Sequence, residues 1–370
     1  MFIRTLSLRN FRSYSSLDLS FETRLIFFIG GNGEGKTNLL ESISILSFLK
    51  SFRGNGDDEV LKWGESYYYI ASIVEEKGED FRLEYGYENT PQRRKKIKRN
   101  GNTLKKHSEA YGFLPCIVLS PMDLGIVEGS HSERRKFIDT LLGFLEPFYT
   151  NYLTEYNHLL RQRNASLKAN RIDPELFHIW DQMLCEKDDQ IRRARFKWSQ
   201  ILNIHFRKDL DLLSEGKDGF ILEYKPNVSS SEEFLSKIKD SFQKDIRLGY
   251  TTIGCHRDEI FIGKNNRDIL EFGSQGQRRS TVISLKTGSF QLLRNSLEKE
   301  PILLIDDVIR ELDVKRRQFF VDLIRECGQA FFTTTDLEGI QDYIGELSEP
   351  KQIFHVHSGQ VESWETVCNG

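Results

Sequence analysis

Apolar and polar positions alternate in two stretches between Phe2 and Phe21, and a short unbroken apolar run, Leu25 to Ile29, follows. Alternation predicts half-buried strands, whereas an unbroken run suits a strand buried on both faces of a parallel sheet. The run ends in glycines. From Thr37 to Lys50 the residues Leu39, Leu40, Ile43, Leu46 and Leu49 recur at helical spacing, so this segment reads as strand, glycine loop, helix. Strand patterning returns from about Tyr67 to Val118 and includes Lys96 to Leu104, folded about an Asn100-Gly101 hairpin turn.

The pattern changes near Ser120. Ser130 with Glu133 forms a capping box ahead of the helix face Phe137, Ile138, Leu141, Leu142 and Leu145. A second helix follows Pro147, with Tyr149, Tyr152, Leu153, Tyr156 and Leu160 on its apolar side. Asp173-Pro174 is an N-cap with proline at the first helical position, opening a helix predicted to reach Ser214. Residues 125–245 are thus predicted to be an inserted, mainly helical lobe. Beyond Thr251 sheet patterning resumes, notably in Pro301 to Ile305 and Ala330 to Thr333. The fold class is α/β, with one domain drawn from both ends of the chain, 1–124 plus 246–370. There is no internal repeat, and the longest helix lacks a sustained heptad, which argues against an extended coiled coil.

Composition narrows the class without choosing the function. Of 370 residues, 29% are charged and 38% hydrophobic, the profile of folded domains and not of a disordered chain. A net charge of -3 means that any nucleic-acid surface must be a local patch. The N-terminus has no secretory pattern and no window approaches a membrane span, so a cytoplasmic protein with no membrane partner is expected. Cys116, Cys185, Cys255, Cys327 and Cys368 are scattered singly, which suits reduced thiols and no zinc site.

The glycine loop carries the chemistry. Gly30-Gly31-Asn32-Gly33-Glu34-Gly35-Lys36-Thr37 fits G-x-x-x-x-G-K-[ST] between a strand and a helix, the context that a phosphate cradle requires. Its backbone N–H groups and the helix N-terminus favour phosphate, Lys36 reaches the β and γ phosphates of ATP, and the Thr37 hydroxyl is a magnesium ligand. Asp306 closes the run Ile302 to Ile305, where a metal-binding carboxylate is expected at the carboxyl end of a neighbouring strand. Asp307, next in line, is a candidate to orient the attacking water; a merely solvated acid is the competing reading. Gly273 to Arg279, ahead of Val282, Ile283 and Leu285, has the form of a helix-opening loop that phosphate can approach.

Together these elements resemble the ABC/SMC superfamily of ATPases. Ser274, Gly276 and Gln277 match its signature loop, and Glu311-Leu312-Asp313 matches the D-loop. Further segments resemble the RecF family. They are Lys50 to Arg53, Gly129 to Asp139, Tyr156 to Asn164, Gly254 to Asp258 and Asp306 to Val308. The resemblance implies an ABC-type head, ATP and Mg2+ as cofactors, and weak ATP hydrolysis that regulates DNA binding, with Lys36 and Asp307 as catalytic residues. It further implies an ATP-dependent homodimer in which Ser274, Gly276 and Gln277 act in trans and Asp313 lies at the D-loop. Single- and double-stranded DNA at gaps or junctions, RecR as partner, RecA loading downstream, and a place in replication, recombinational repair and the SOS response come with it.

Three departures stand against the family pattern: Cys255 where proline is usual, Arg310 where a small residue is common, and Thr333, Thr334, Thr335 and Asp336 where many ABC ATPases carry a switch histidine. Slow hydrolysis is expected. The run Arg93, Arg94, Lys95, Lys96 is a candidate DNA contact, with a solvated hairpin face equally open. Arg134, Arg135, Arg161 and Arg163 read as solubilising helix side chains. Among rivals, a transporter subunit would bring its motifs closer together, and a small-molecule kinase has no use for Ser274 to Gln277. A structural chromosome-maintenance protein, the nearest alternative, would carry a long coiled coil in place of the lobe.

Overall fold

The computed structural model describes residues 1–105, 107–308, 314–336 and 349–367. Arg310, the D-loop with Asp313, and Cys368 lie outside the described residues. The chain opens with β1 (Phe2–Phe11), β2 (Tyr14–Ser20), β3 (Leu25–Ile29), α1 (Lys36–Phe48), α2 (Asp57–Val60), β4 (Tyr67–Glu76), β5 (Glu79–Glu88), β6 (Arg94–Arg99), β7 (Asn102–Thr103) and β8 (Cys116–Leu119). There follow α3 (Gly125–Glu128), α4 (His131–Leu145), α5 (Tyr149–Lys168), α6 (Pro174–Ser214), β9 (Ile221–Lys225), α7 (Ser231–Asp240), α8 (Phe242–Leu248), β10 (Glu259–Lys264), β11 (Arg267–Asp268) and α9 (Ile269–Phe272). It closes with α10 (Gln275–Leu297), β12 (Ile302–Asp306), α11 (Val314–Glu326), β13 (Ala330–Thr334), β14 (Lys351–His357) and β15 (Gln360–Val367).

Two compact units result, residues 1–123 with 293–370, and residues 124–292. The expected boundary at 245 therefore moves, because β9 pairs antiparallel with β10 and ties the segment beyond 245 into the lobe. Among the described residues the first unit holds two sheets. One is antiparallel, in the order β2-β1-β4-β5-β6-β7; the other runs β15-β14-β3-β13-β12-β8 and is parallel except for β15. All five residues of β3 are buried, as the unbroken apolar run predicts. Phe21, Phe28, Phe331 and Phe354 pack edge to face and tilted beside it.

Helix α1 touches both sheets, β1, β4 and β5 on one side and β8, β12 and β13 on the other. That is why it is buried around its whole circumference, polar residues included, and not along the single stripe the periodicity predicts. Ser42 and Ser44 donate to the carbonyls of Leu39 and Glu41, the local back-bonding that satisfies a buried hydroxyl on a helix.

In the second unit the Ser130–Glu133 capping box opens α4, and Asp173 caps α6 by accepting from the Glu175 and Leu176 N–H groups. Two arginines expected to be solubilising are instead buried. Arg134, 2% exposed, pairs with Asp268, and Arg163, 0% exposed, bonds Asp181, Asp245 and Thr251. Arg195 joins Asp139 on α4 to Asp258 and to the Cys255 carbonyl. Their acids come from distant parts of the chain, which helical periodicity cannot reveal. No helix among the described residues is long and apolar enough to cross a membrane.

His256 shows how this interior constrains protonation. Its Nε2 lies 3.0 Å from the Thr251 carbonyl, which only accepts, so Nε2 carries the proton and Nδ1 accepts from the Tyr156 hydroxyl at 2.7 Å. Burial pushes its pKa down to about 4, helped by Arg257, Arg135 and Arg195 and opposed by the Thr251 bond. The unfolded chain takes up this proton near pH 6.5, the folded one only near 4, so stability present above 6.5 is lost as pH falls toward 4. Urea unfolding should show a loss of up to about 1.4 kcal/mol per pH unit across that window. In His256→Gln the slope should be shallower by one proton; an unchanged slope would assign the loss to other groups.

Candidate functional site

The loop between β3 and α1 is shaped by two glycines that tolerate no side chain. A Cβ on Gly30 would come within 2.2 Å of the Val356 carbonyl oxygen. Gly35 has φ +112, and a Cβ there would lie 2.8 Å from Ser13 Oγ and 2.9 Å from the Tyr14 hydroxyl. The Tyr14 hydroxyl donates to the Gly35 carbonyl at 3.1 Å, and Asn38 Nδ2 donates to Ser13 Oγ at 3.2 Å. On the other flank the Ser358 N–H bonds the Glu34 carboxylate and holds its pKa below the usual range. Neighbours on both sides therefore fix the cradle before any ligand arrives.

Lys36 turns back across the loop and donates to the carbonyls of Gly30 and Gly31, each at 2.7 Å. An ammonium has three donors, so one remains for a phosphate oxygen. Burial lowers its pKa, opposed by Asp307, Asp306 and Glu34. The Thr37 hydroxyl donates to Asp306 Oδ1 at 2.7 Å, so the two residues expected to share a metal do converge, although 269 positions apart. Their strands are not neighbours, which corrects the expected arrangement: β13 lies between β3 and β12.

That intervening strand brings in a residue the sequence reading undervalued. Thr333, in register with Asp306, donates to Asp306 Oδ1 at 2.8 Å and accepts the Asp307 N–H at 3.1 Å. Asp307 itself adopts φ +51, a left-handed turn off the strand end. Noting where a histidine was missing said nothing of what the threonine does instead; its place one strand from Asp306 is a tertiary fact. A hydroxyl and a carboxylate at a helix N-terminus suit magnesium, which takes few protein ligands and completes its shell with phosphate and water.

The signature-like loop belongs to the second unit. Ser274 Oγ accepts the Gln277 N–H at 3.2 Å, and Gln277 Oε1 accepts the Ser274 N–H at 2.9 Å, a reciprocal cap on α10. Gln277 also donates to Asp218. Gly276 lies within this first turn, leaving the loop's end without bulk.

The basic strand divides into two kinds of residue. Arg93 pairs with Asp58, and Lys95 with Asp57, which also accepts from the hydroxyls of Tyr68 and Tyr85. Burial pushes the Asp57 pKa up, but the Lys95 and tyrosine bonds outweigh it and hold the carboxyl below its usual value. Arg94 and Lys96 alternate with Lys95 along β6, stand on its other face and are exposed.

The fold and this cradle define an ABC-type ATPase head. The family model for the RecF/RecN/SMC N-terminal domain matches residues 2–360, and the chain belongs to that family. Within it the chain is one of the RecF proteins. It is 51% identical to the DNA replication and repair protein RecF of Leptospira interrogans over 98% of this chain and 100% of the relative. It is 35% identical to the Bacillus cytotoxicus RecF, with 98% of each chain covered. A solved structure of the recombination mediator protein RecF with ATP, from the RecFOR pathway, superposes with TM-score 0.88 at 28% identity, covering 98% of this chain and 97% of that one. An Smc head domain from Pyrococcus furiosus shares the fold alone, with TM-score 0.53 at 16% identity, covering 98% of this chain and 96% of that one.

The split in the basic strand is testable by stability alone. Replacing Arg93 and Lys95 together by alanine leaves Asp57 and Asp58 without their cations and should cost about 1 kcal/mol in urea unfolding. Replacing Arg94 and Lys96 should stay within about 0.5 kcal/mol of wild type. Equal losses in the two variants would undo the distinction.

Proposed function

We propose that this RecF protein binds ATP with magnesium at Gly30 to Thr37 and Asp306, and that ATP closes two copies into a clamp on DNA at gaps or junctions. The observation that carries the reading is the 2.7 Å contact of Thr37 with Asp306 directly behind the glycine loop. Gly31, Asn32, Gly33 and Glu34 supply the loop backbone, Lys36 supplies charge to the β and γ phosphates, and Asp307 orients the attacking water. Magnesium, when bound, neutralises charge between the outer phosphates. Hydrolysis is slow on this reading because Thr333, Thr334, Thr335 and Asp336 stand where many ABC ATPases carry a switch histidine, and Thr333 spends its hydroxyl on Asp306 and Asp307.

By family, RecR is the partner and RecA loading the outcome, in cytoplasmic replication-linked and SOS-induced repair. Ser274, Gly276 and Gln277 act on the nucleotide of the other copy, near the D-loop residue Asp313. DNA phosphates fall to Arg94 and Lys96, and less to Arg93 and Lys95, whose charge is already met by α2.

Ser274→Arg tests the trans arrangement. ATP affinity at low protein concentration should match wild type, whereas ATP-dependent dimers in sedimentation and ATP hydrolysis should vanish. If Ser274→Arg weakens ATP binding as Lys36→Met does, the loop acts within one copy and the clamp fails. For the DNA contact, Arg94→Ala with Lys96→Ala should flatten the dependence of log K on log salt by about 1.8, near 0.9 for each duplex phosphate lost. An unaltered slope would move the DNA surface elsewhere.

A further inference from the structure

Helix α6 ends in a left-handed cap at Glu215, φ +56, and the chain turns back through Gly216 at φ +72 and Gly219 at φ +63 before entering β9. Asp218 sits inside that turn and is only 8% exposed. Its N–H donates to Ser214 Oγ at 3.5 Å, its carbonyl accepts from Lys264 Nζ at 3.0 Å, and Phe220 packs edge to face on Phe272 with ring centres 5.9 Å apart. Phe272 closes α9 just ahead of Gly273 and Ser274, so the turn lies against the approach to the signature-like loop.

The Asp218 carboxylate meets that loop directly. Its Oδ1 accepts from Gln277 Nε2 at 2.8 Å, although the two residues are 59 positions apart. A carboxylate so nearly buried costs free energy unless it is hydrogen-bonded, which gives this contact its weight. A carboxylate only accepts and a backbone N–H only donates. The Gln277 amide, bonded to Asp218 through its nitrogen and to the Ser274 N–H through its oxygen, therefore has one orientation that satisfies both. Turned over, it would lose both bonds. The reciprocal bond, from Gln277 N–H to Ser274 Oγ at 3.2 Å, uses a lone pair of the hydroxyl and leaves its proton to be donated to a phosphate oxygen.

We infer that Asp218 is a positioning residue for the loop of Ser274, Gly276 and Gln277; this rests on the trans reading above. By fixing the Gln277 amide it sets the Ser274 hydroxyl for the nucleotide of a second copy, and it fastens the end of the long lobe helix to that loop.

The test uses the full chain with magnesium and compares wild type, Asp218→Ala, Asp218→Asn, Gln277→Ala, the double variant Asp218→Ala with Gln277→Ala, and Ser274→Arg. ATP affinity is read at low protein concentration, ATP-dependent dimerisation by sedimentation, and folding by urea unfolding. Asp218→Ser, whose hydroxyl is too short to reach Gln277, replaces Asp218→Ala if that variant does not fold. Asp218→Ala should bind ATP like wild type and dimerise at least about ten-fold more weakly, the lower end of what a hydrogen bond to a charged group is worth. Asp218→Asn can still accept from Gln277 and should recover most of the dimer. The double variant should be no worse than Gln277→Ala alone, because Asp218 acts through that amide. Dimerisation of Asp218→Ala at the wild-type level overturns the inference, and so do losses that multiply in the double variant or weaker ATP binding at low concentration. If Ser274→Arg also dimerises like wild type, the trans reading itself falls; if only Ser274→Arg loses the dimer, that reading stands and the role of Asp218 falls alone.

Discussion

The carboxylate of Glu41 is wholly buried on a helix enclosed by two sheets, and the order of the nucleotide cradle depends on how its charge is met. Arg12 grips it with two hydrogen bonds, at 2.9 and 2.7 Å, and spends its remaining nitrogen on the Glu59 carbonyl at 2.7 Å. Ser51 donates to the same carboxylate, and Arg53 stands 3.8 Å away. One acid thereby joins the β1–β2 link, the middle of α1, the segment after α1 and the end of α2. Removing one partner of a buried pair costs about 3–5 kcal/mol, because the other charge is stranded. The β1–β2 link is itself strained, with Asn10 at φ +51 and Arg12 at φ +53, on the order of 1–3 kcal/mol each. The pair offsets that strain, and because α1 starts at Lys36, holding the helix holds the phosphate-binding end.

The second unit repeats the device with Arg134, Arg163 and Arg195. A guanidinium stays charged in any protein interior, so each burial obliges nearby acids to remain ionised and in place. Arg195 is the clearest case. It joins α6, 41 residues and about 60 Å long, to Asp139 of α4 and to Asp258 after the Gly254 turn. Such pairs are weak evidence for net stability and better evidence for register, since a slipped helix would leave the arginine without its acid. Cys255, where the family favours proline, keeps an N–H that a proline would lack, and Asp188 accepts it at 2.6 Å. That bond gives the departure from the family pattern a local physical use.

Legibility in the sequence followed the range of the interaction. The Asp173-Pro174 cap, the Ser130–Glu133 box, the Asn100-Gly101 turn and the helical extent to Ser214 are local, and each stands where the pattern placed it. The strand, glycine loop and helix were equally legible, although the neighbours that require Gly30 and Gly35, namely Val356, Ser13 and Tyr14, come from other parts of the chain. What periodicity could not show was the second sheet over α1, which buries Glu41, Ser44 and Ser47 that alternation assigns to solvent. It could not show β13 between β3 and β12, nor the pairing of Arg93 and Lys95 with acids nearly forty residues earlier. Charge runs look uniform in a sequence; a strand sorts them onto two faces.

The hydroxyl pair at Asp306 explains why threonines suit this site on the proposed reading. Thr37 and Thr333 both donate to Asp306 Oδ1, at 2.7 and 2.8 Å, and an oxygen that donates its proton to a carboxylate keeps its lone pairs for other partners. Donation to an anion also raises the electron density on the hydroxyl oxygen, which makes Thr37 a better ligand for a hard cation. Thr333 uses its lone pair on the Asp307 N–H and so fixes the backbone that leaves the strand at φ +51. Asp306 is oriented from both sides, while Asp307 is turned away from the strand by a conformation that asparagine and aspartate tolerate better than most residues. The Thr333 hydroxyl serves Asp306 and the Asp307 N–H from a single oxygen, whereas a neutral imidazole would present its one N–H and its one lone pair on different ring atoms, so a histidine there could not make both contacts from one place.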